Sequence, residues 1–178
     1  MDNQMKNQKL AQIWERSVAF HGRPCRKLAI GARACVTALD HLGLETPERD
    51  QLVCVSESDA CCIDAIQIGL GCTMGKKHLL FYRTGRMIFS VYDMKNNNSV
   101  RICTRDSVAE KLMTMQPEEI LAAREEDLFY FETAHPLTEK VRNKVLQACN
   151  VGGEKIPEHF SGVQDSTERF RQFDEARF

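Results

Sequence analysis

Three short stretches of this 178-residue chain gather side chains able to do chemistry. The first, Phe20-His21-Gly22-Arg23-Pro24-Cys25, puts an imidazole and a thiol in a loop that leads into a helix. A thiol at a helix N-terminus meets unpaired backbone N–H groups and the positive end of the dipole, which favour the thiolate. The second, Asp59-Ala60-Cys61-Cys62-Ile63-Asp64-Ala65-Ile66-Gln67, places Cys61 at another helix start, with Asp64 and Gln67 following along one broad face. The third, Gly71-Cys72-Thr73-Met74-Gly75-Lys76-Lys77, is a flexible loop with a hydroxyl and two ammonium groups.

These residue types support two chemistries. His21, Cys25 and Cys61 form the soft N/S donor set that zinc or a similar divalent transition metal prefers, with a fourth position left open. The same groups read as an enzyme make Cys61 or Cys25 a nucleophile, His21 its base and Asp64 the group that orients the base. Thr73 and Lys76 suit an anionic group. The glycine-lysine loop fails as a nucleoside-triphosphate cradle. Gly71 and Gly75 enclose three residues, Lys77 stands where a magnesium-binding hydroxyl belongs, and the loop follows a helix instead of preceding one. No Cys-x-x-Cys and no His-Glu-x-x-His occurs. Of the remaining thiols, Cys35, Cys54 and Cys103 read as packing residues.

The elements that must position these groups follow from periodicity and punctuation. Gln4 to Phe20 reads as a helix ending at the His21-Gly22 break. Pro24 suits the first turn of a second helix, carried by Leu28, Ala32, Val36 and Leu39 and stopped near Gly43. Leu52 to Val55 is a short buried strand. Asp59 is expected to cap a helix from Cys61 to Leu70, closed by Gly69 and Gly71. His78 to Arg83, Arg86 to Tyr92 and Val100 to Cys103 read as three consecutive strands of an antiparallel meander. Beyond Ser107 the pattern is helical: Val108 to Met115, Pro117 to Leu128 and Leu137 to Ala148. The fold class is α+β, helices on one mixed sheet with a C-terminal antiparallel meander and then a helical tail.

Composition narrows the class. The 24 basic and 25 acidic residues nearly cancel, which argues against nucleic acid as a partner. No apolar run approaches the ~18 residues of a membrane span. The polar start from Met1 to Gln8 carries no leader pattern, so the expected location is cytoplasmic. Eight cysteines in reducing surroundings are then core residues, thiolates or metal ligands, not disulfides. Residues 1–104 hold 14 basic and 10 acidic side chains, and residues 105–178 hold 10 and 15. This shift divides the chain into an α+β core, 1–106, carrying the three stretches, and a helical extension, 107–178.

In order and separation, the three stretches resemble the E-subunit family of formylmethanofuran dehydrogenase. Phe20, His21, Gly22, Cys25, Gly31 and Arg33 match its first block. Asp59, Cys61, Asp64, Ala65, Ile66 and Gln67 match the second, and Gly71, Cys72, Thr73, Gly75 and Lys76 the third. Arg23 departs from the family, standing where a second histidine is usual, and Arg26-Lys27 replace Pro-Gly. Many members continue into a zinc ribbon beginning Cys-x-x-Cys. Here Cys149 is followed by Gly152 in the second position, so a degenerate remnant at 149–154 is expected. The resemblance implies a homodimer, with His21, Cys25, Cys61, Asp64, Gln67, Cys72 and Thr73 converging on a cleft. It also implies an accessory role in redox or one-carbon metabolism, since other subunits of the dehydrogenase carry its redox centres. Three readings stay open: a metal- or small-ligand-binding protein, a thiolate enzyme, and a non-catalytic interaction protein tethered to a redox-enzyme partner.

Overall fold

The computed structural model describes residues 1–134. Helix α1, Asn3–His21, begins where the Asp2 carboxylate accepts the Met5 N–H, and it ends at Gly22, whose φ of 88° only glycine adopts without strain. Helix α2, Arg26–His41, is the central helix: from Leu28 through Leu39 only Arg33 is not fully buried. Such all-round burial is expected of a stretch with four alanines, other apolar residues and few polar positions. Strand β1, Leu52–Ser56, follows, then helix α3, Cys62–Leu70, and strand β2, Leu79–Phe81. Strands β3, Ile88–Asp93, and β4, Asn98–Thr104, form a hairpin. Short helices α4, Asp106–Lys111, α5, Pro117–Ala122, and α6, Glu125–Leu128, lead to strand β5, Phe129–Glu132.

The five strands make one mixed sheet in the order β2-β1-β3-β4-β5. Alternation along the strands sorts their side chains between two faces. Leu52, Cys54, Phe89, Val91, Val100 and Ile102 join the helices in the main core. Val53, Val55 and Tyr92 lie in a second cluster with Leu80, Tyr82, Met94 and Ala134. The α+β class with one mixed sheet is thus observed.

Close packing of α2 on α3 is set by a glycine. A Cβ on Gly31 would lie 2.4 Å from the Cys62 carbonyl oxygen, a separation that no side chain tolerates. Gly69 does the same for α3 against Cys35, whose Sγ would be 2.6 Å from an added Cβ. Gly69 therefore lies inside α3 as a packing residue, and Gly71, at φ 68°, ends the helix alone.

Several local expectations are corrected. Pro24 precedes α2, and Cys25 takes the capping position. Asp59 does not cap α3: its carboxylate pairs with Arg83 at 2.6 Å, and Cys61 occupies the N-cap without a side-chain cap bond. The meander is β3-β4-β5, not β2-β3-β4. Strand β2 runs parallel to β1, because α3 carries the chain back across the sheet before β2 begins. The single helix expected from Pro117 to Leu128 is two helices. The backbone at Ala123 is extended, and the guanidinium of Arg33 takes the carbonyls of Leu121 and Ala123. The sequence reading also missed β5, where Thr104 pairs with Phe129 and Arg101 with Glu132. The helix expected from Leu137 and the ribbon remnant at Cys149 lie outside the described residues.

Candidate metal centre

Three helix ends supply the chemistry. His21 is the last residue of α1, and Gly22, with its N–H bonded to the Val18 carbonyl, turns the chain back towards α2. Cys25 follows in extended conformation as the N-cap of α2, its sulfur accepting the Leu28 N–H at 3.4 Å. Cys61 is the N-cap of α3. The turn before it is held by two serines: Ser56 Oγ donates to the Ser58 carbonyl at 2.7 Å, and Ser58 Oγ accepts the Ala60 N–H at 3.2 Å. These two serines were not singled out from the sequence, although Ser-x-Ser is a turn signal.

The close approach of α2 and α3 at Gly31 brings the two N-termini together. One ligating atom each from His21, Cys25 and Cys61 lies within 4.8 Å of the other two, and all three residues are half-buried. His21 Nδ1 is 2.6 Å from Asp64 Oδ2, and His21 Nε2 is 3.8 Å from Cys25 Sγ. The carboxylate accepts a hydrogen bond only if Nδ1 carries the proton, which leaves the Nε2 lone pair on the side of Cys25 Sγ. Asp64 reaches His21 because it sits in the first turn of α3, just past Cys61.

Burial pushes the Cys61 thiol above its ordinary value, its hydrogen bond with Cys25 adds to this, and the Lys27 ammonium partly opposes both. Cys61 is therefore not a preformed thiolate when no cation is near. Apart from Cys25, the other described cysteines are core. Burial raises Cys35 and Cys54 far above the usual thiol range, Cys62 and Cys72 to about 12, and Cys103 to about 11.

The residues named from the third stretch are placed differently. Cys72 is fully buried among Cys35 and Cys54, its thiol directed at the Leu70 carbonyl 3.9 Å away, and it does not join the His21 group. Gln67 braces the loop after α3, its Oε1 accepting the Met74 N–H at 3.3 Å. Thr73 Oγ1 accepts the Lys76 N–H at 3.3 Å. Lys76 Nζ donates to the Gly71 carbonyl at 3.1 Å and pairs with Asp50 at 3.3 Å. Asp50, not singled out from the sequence, also lies 4.0 Å from His78 Nδ1. Lys76, Asp50 and His78 border a cavity of about 270 Å3 at the C-terminal end of α3, to which His21, Cys25 and Cys61 do not contribute.

Comparison with known proteins agrees with the motif reading. The fold is similar to that of a tungsten formylmethanofuran dehydrogenase FmdE-like protein from Syntrophus aciditrophicus, with 22% identity and a TM-score of 0.56 over 70% of this chain and 71% of that one. A probable S-adenosyl-L-methionine-binding protein of Archaeoglobus fulgidus is 26% identical over 116 residues, 63% of this chain. That match spans only 32% of the Archaeoglobus protein's length. Residues 20–149, well over half of the sequence, match the family described as FmdE, molybdenum formylmethanofuran dehydrogenase operon, and the chain belongs to that family.

Proposed function

We propose that this protein binds one divalent transition metal ion, zinc being the best fit, through His21 Nε2, Cys25 Sγ and Cys61 Sγ. Its role is accessory to redox or one-carbon chemistry. The observation that carries the reading is the Asp64–His21 contact of 2.6 Å, which leaves Nε2 free beside Cys25 Sγ within a group that includes Cys61. A carboxylate behind a ligating histidine fixes its tautomer and orientation and raises its basicity. One imidazole and two thiolates match zinc in softness, and a bound zinc ion acts as a Lewis acid on whatever fills its remaining position. Cys61, held protonated by burial, loses its proton as the cation binds.

The three ligands arrive on three helix ends, and these residues keep separate roles. Cys25 and Cys61 supply negative charge, His21 supplies a neutral donor, and Asp64 holds the Nδ1 proton. Gln67, Thr73 and Lys76 remain candidates for contacting an anionic ligand beside the centre. Gln67 and Lys76 must then exchange their loop contacts for it. A homodimer and a redox-enzyme partner complete the proposal on the strength of family membership, and a cytoplasmic location on the strength of the sequence reading.

The thiolate-enzyme reading, with Cys61 as nucleophile and His21 as base, is weaker for a physical reason. A nucleophile held above its ordinary thiol value by burial and by a neighbouring thiol is mostly protonated near neutral pH. Metal analysis of the purified full chain separates the two. The metal reading requires stoichiometric metal, lost in Cys25→Ser and Cys61→Ser while both variants keep their far-UV spectrum. Metal-free protein whose melting temperature ignores added zinc, with one fast-alkylating thiol, would support the enzyme instead.

A further inference from the structure

We propose that Cys25 and Cys61 form a redox couple, which hydroperoxides convert to an intramolecular disulfide. The proposal concerns the same two sulfurs as the metal reading but holds whether or not a metal is bound. Among the described cysteines these two alone are not fully buried. Their ligating atoms lie within 4.8 Å, and they share a hydrogen bond. A disulfide needs sulfurs about 2 Å apart, and both residues are N-caps at the ends of loops, where side-chain rotation and loop adjustment would have to close the gap.

The chemistry balances. One thiol attacks the hydroperoxide, the O–O bond breaks, the sulfur becomes a sulfenic acid, and an alcohol or water leaves. The second sulfur attacks that sulfenic sulfur, the S–S bond forms, and the sulfenic hydroxyl leaves as water with the second thiol's hydrogen, the first thiol's proton having gone to the departing alcohol or water. The two thiols have given two electrons, and the hydroperoxide has accepted them. His21 Nε2, 3.8 Å from Cys25 Sγ, is placed to accept a thiol proton as the sulfur reacts. Where a metal is present, the same oxidation removes two of its three protein ligands and releases it.

Cys62 provides the internal comparison. It is adjacent in sequence to Cys61, but its thiol is buried and directed at Ser58 Oγ, 3.8 Å away. An exposed cysteine pair with a resolving partner bridges, whereas a lone exposed cysteine stops at the sulfenic or sulfinic stage.

The test treats the full chain, both metal-stripped and zinc-loaded, with hydrogen peroxide and maps the peptides by mass spectrometry. The expected result is a Cys25–Cys61 peptide lighter by two hydrogens, reversed by dithiothreitol, in the metal-stripped protein. Cys25→Ser should lose the bridge and leave a dimedone-reactive sulfenic acid on Cys61. Cys62→Ser should bridge as the unaltered chain does. Zinc-loaded protein should release its metal in step with bridge formation. The proposal is overturned if the bridge maps to another pair, or if both sulfurs pass to sulfinic acids unbridged. A Cys25→Ser variant that still loses two hydrogens also overturns it. A chain that binds no zinc yet forms the bridge overturns the metal reading and supports this one.

Discussion

The Nδ1 atom of His21 and the Oδ2 atom of Asp64, residues from the end of one helix and the first turn of another, meet at 2.6 Å. The contact spans 43 residues of sequence and turns an ordinary helix-terminal histidine into an oriented donor. Asp64→Asn removes the charge while keeping the shape. Zinc affinity should fall by about 10–100-fold, measured by competition with a chromophoric chelator, with Cys61→Ser losing more. An unchanged affinity would remove Asp64 from the site.

Gly31 determines how closely α2 approaches α3. Gly31→Ala drives a methyl group into the Cys62 backbone, and overpacking of this kind costs about 1–3 kcal/mol. Urea unfolding of metal-free protein reads this directly. Gly75→Ala, where nothing lies within 4 Å, serves as the control and should shift stability by less than about 0.5 kcal/mol. Because the same packing joins the N-termini of α2 and α3, Gly31→Ala should also weaken zinc binding, and Gly75→Ala should not.

Arg101 lies almost wholly inside the protein with Glu57. It donates to the Glu57 carboxylate, to Ser90 Oγ at 3.1 Å and to Glu132 at 3.0 Å. Burial alone would lower the guanidinium, and the carboxylates more than reverse this. Arg101→Met leaves Glu57 buried without its cation, so the loss should be about 3–5 kcal/mol. Replacing both, Arg101→Met with Glu57→Gln, should recover part of it. Chemical denaturation of the three chains tests the order.

Asp40 on α2 pairs with Lys6 on α1 at 2.5 Å. Burial raises its carboxyl, but hydrogen bonds from Lys6 and the Met1 ammonium outweigh burial and leave it below the usual carboxylate value. A carboxyl depressed in the folded state stabilises above its unfolded value, near pH 4, and that contribution disappears as pH falls through the folded value. The melting temperature of the unaltered chain should therefore fall more steeply below about pH 4 than that of Asp40→Asn. Parallel curves would mean that the pair contributes nothing.

Local signals in the sequence were enough to identify the α+β class, α1, α2, β1 and α3, whereas spacing alone left the grouping of His21, Cys25, Cys61 and Asp64 open and only the family resemblance implied it. Periodicity and glycine punctuation are properties of neighbouring residues, so they survive without tertiary context. Where the strands pair was not legible, because register and direction depend on the path of the connections. Leu79–Phe81 reads the same whether it continues a meander or returns beside β1. The break at Ala123 is held by Arg33, 90 residues earlier than the carbonyl it bonds, and the strand at Phe129 forms by pairing with β4. Cys61 and Cys72 looked equivalent as motif thiols, and only packing separated them. One caps the start of α3, half-buried beside Cys25, and the other turns into the core, where burial holds it protonated. Sequence determined which groups could bind a metal. Tertiary structure decided which of them meet, because a distance between helix ends is set by how closely the helices pack, here at Gly31.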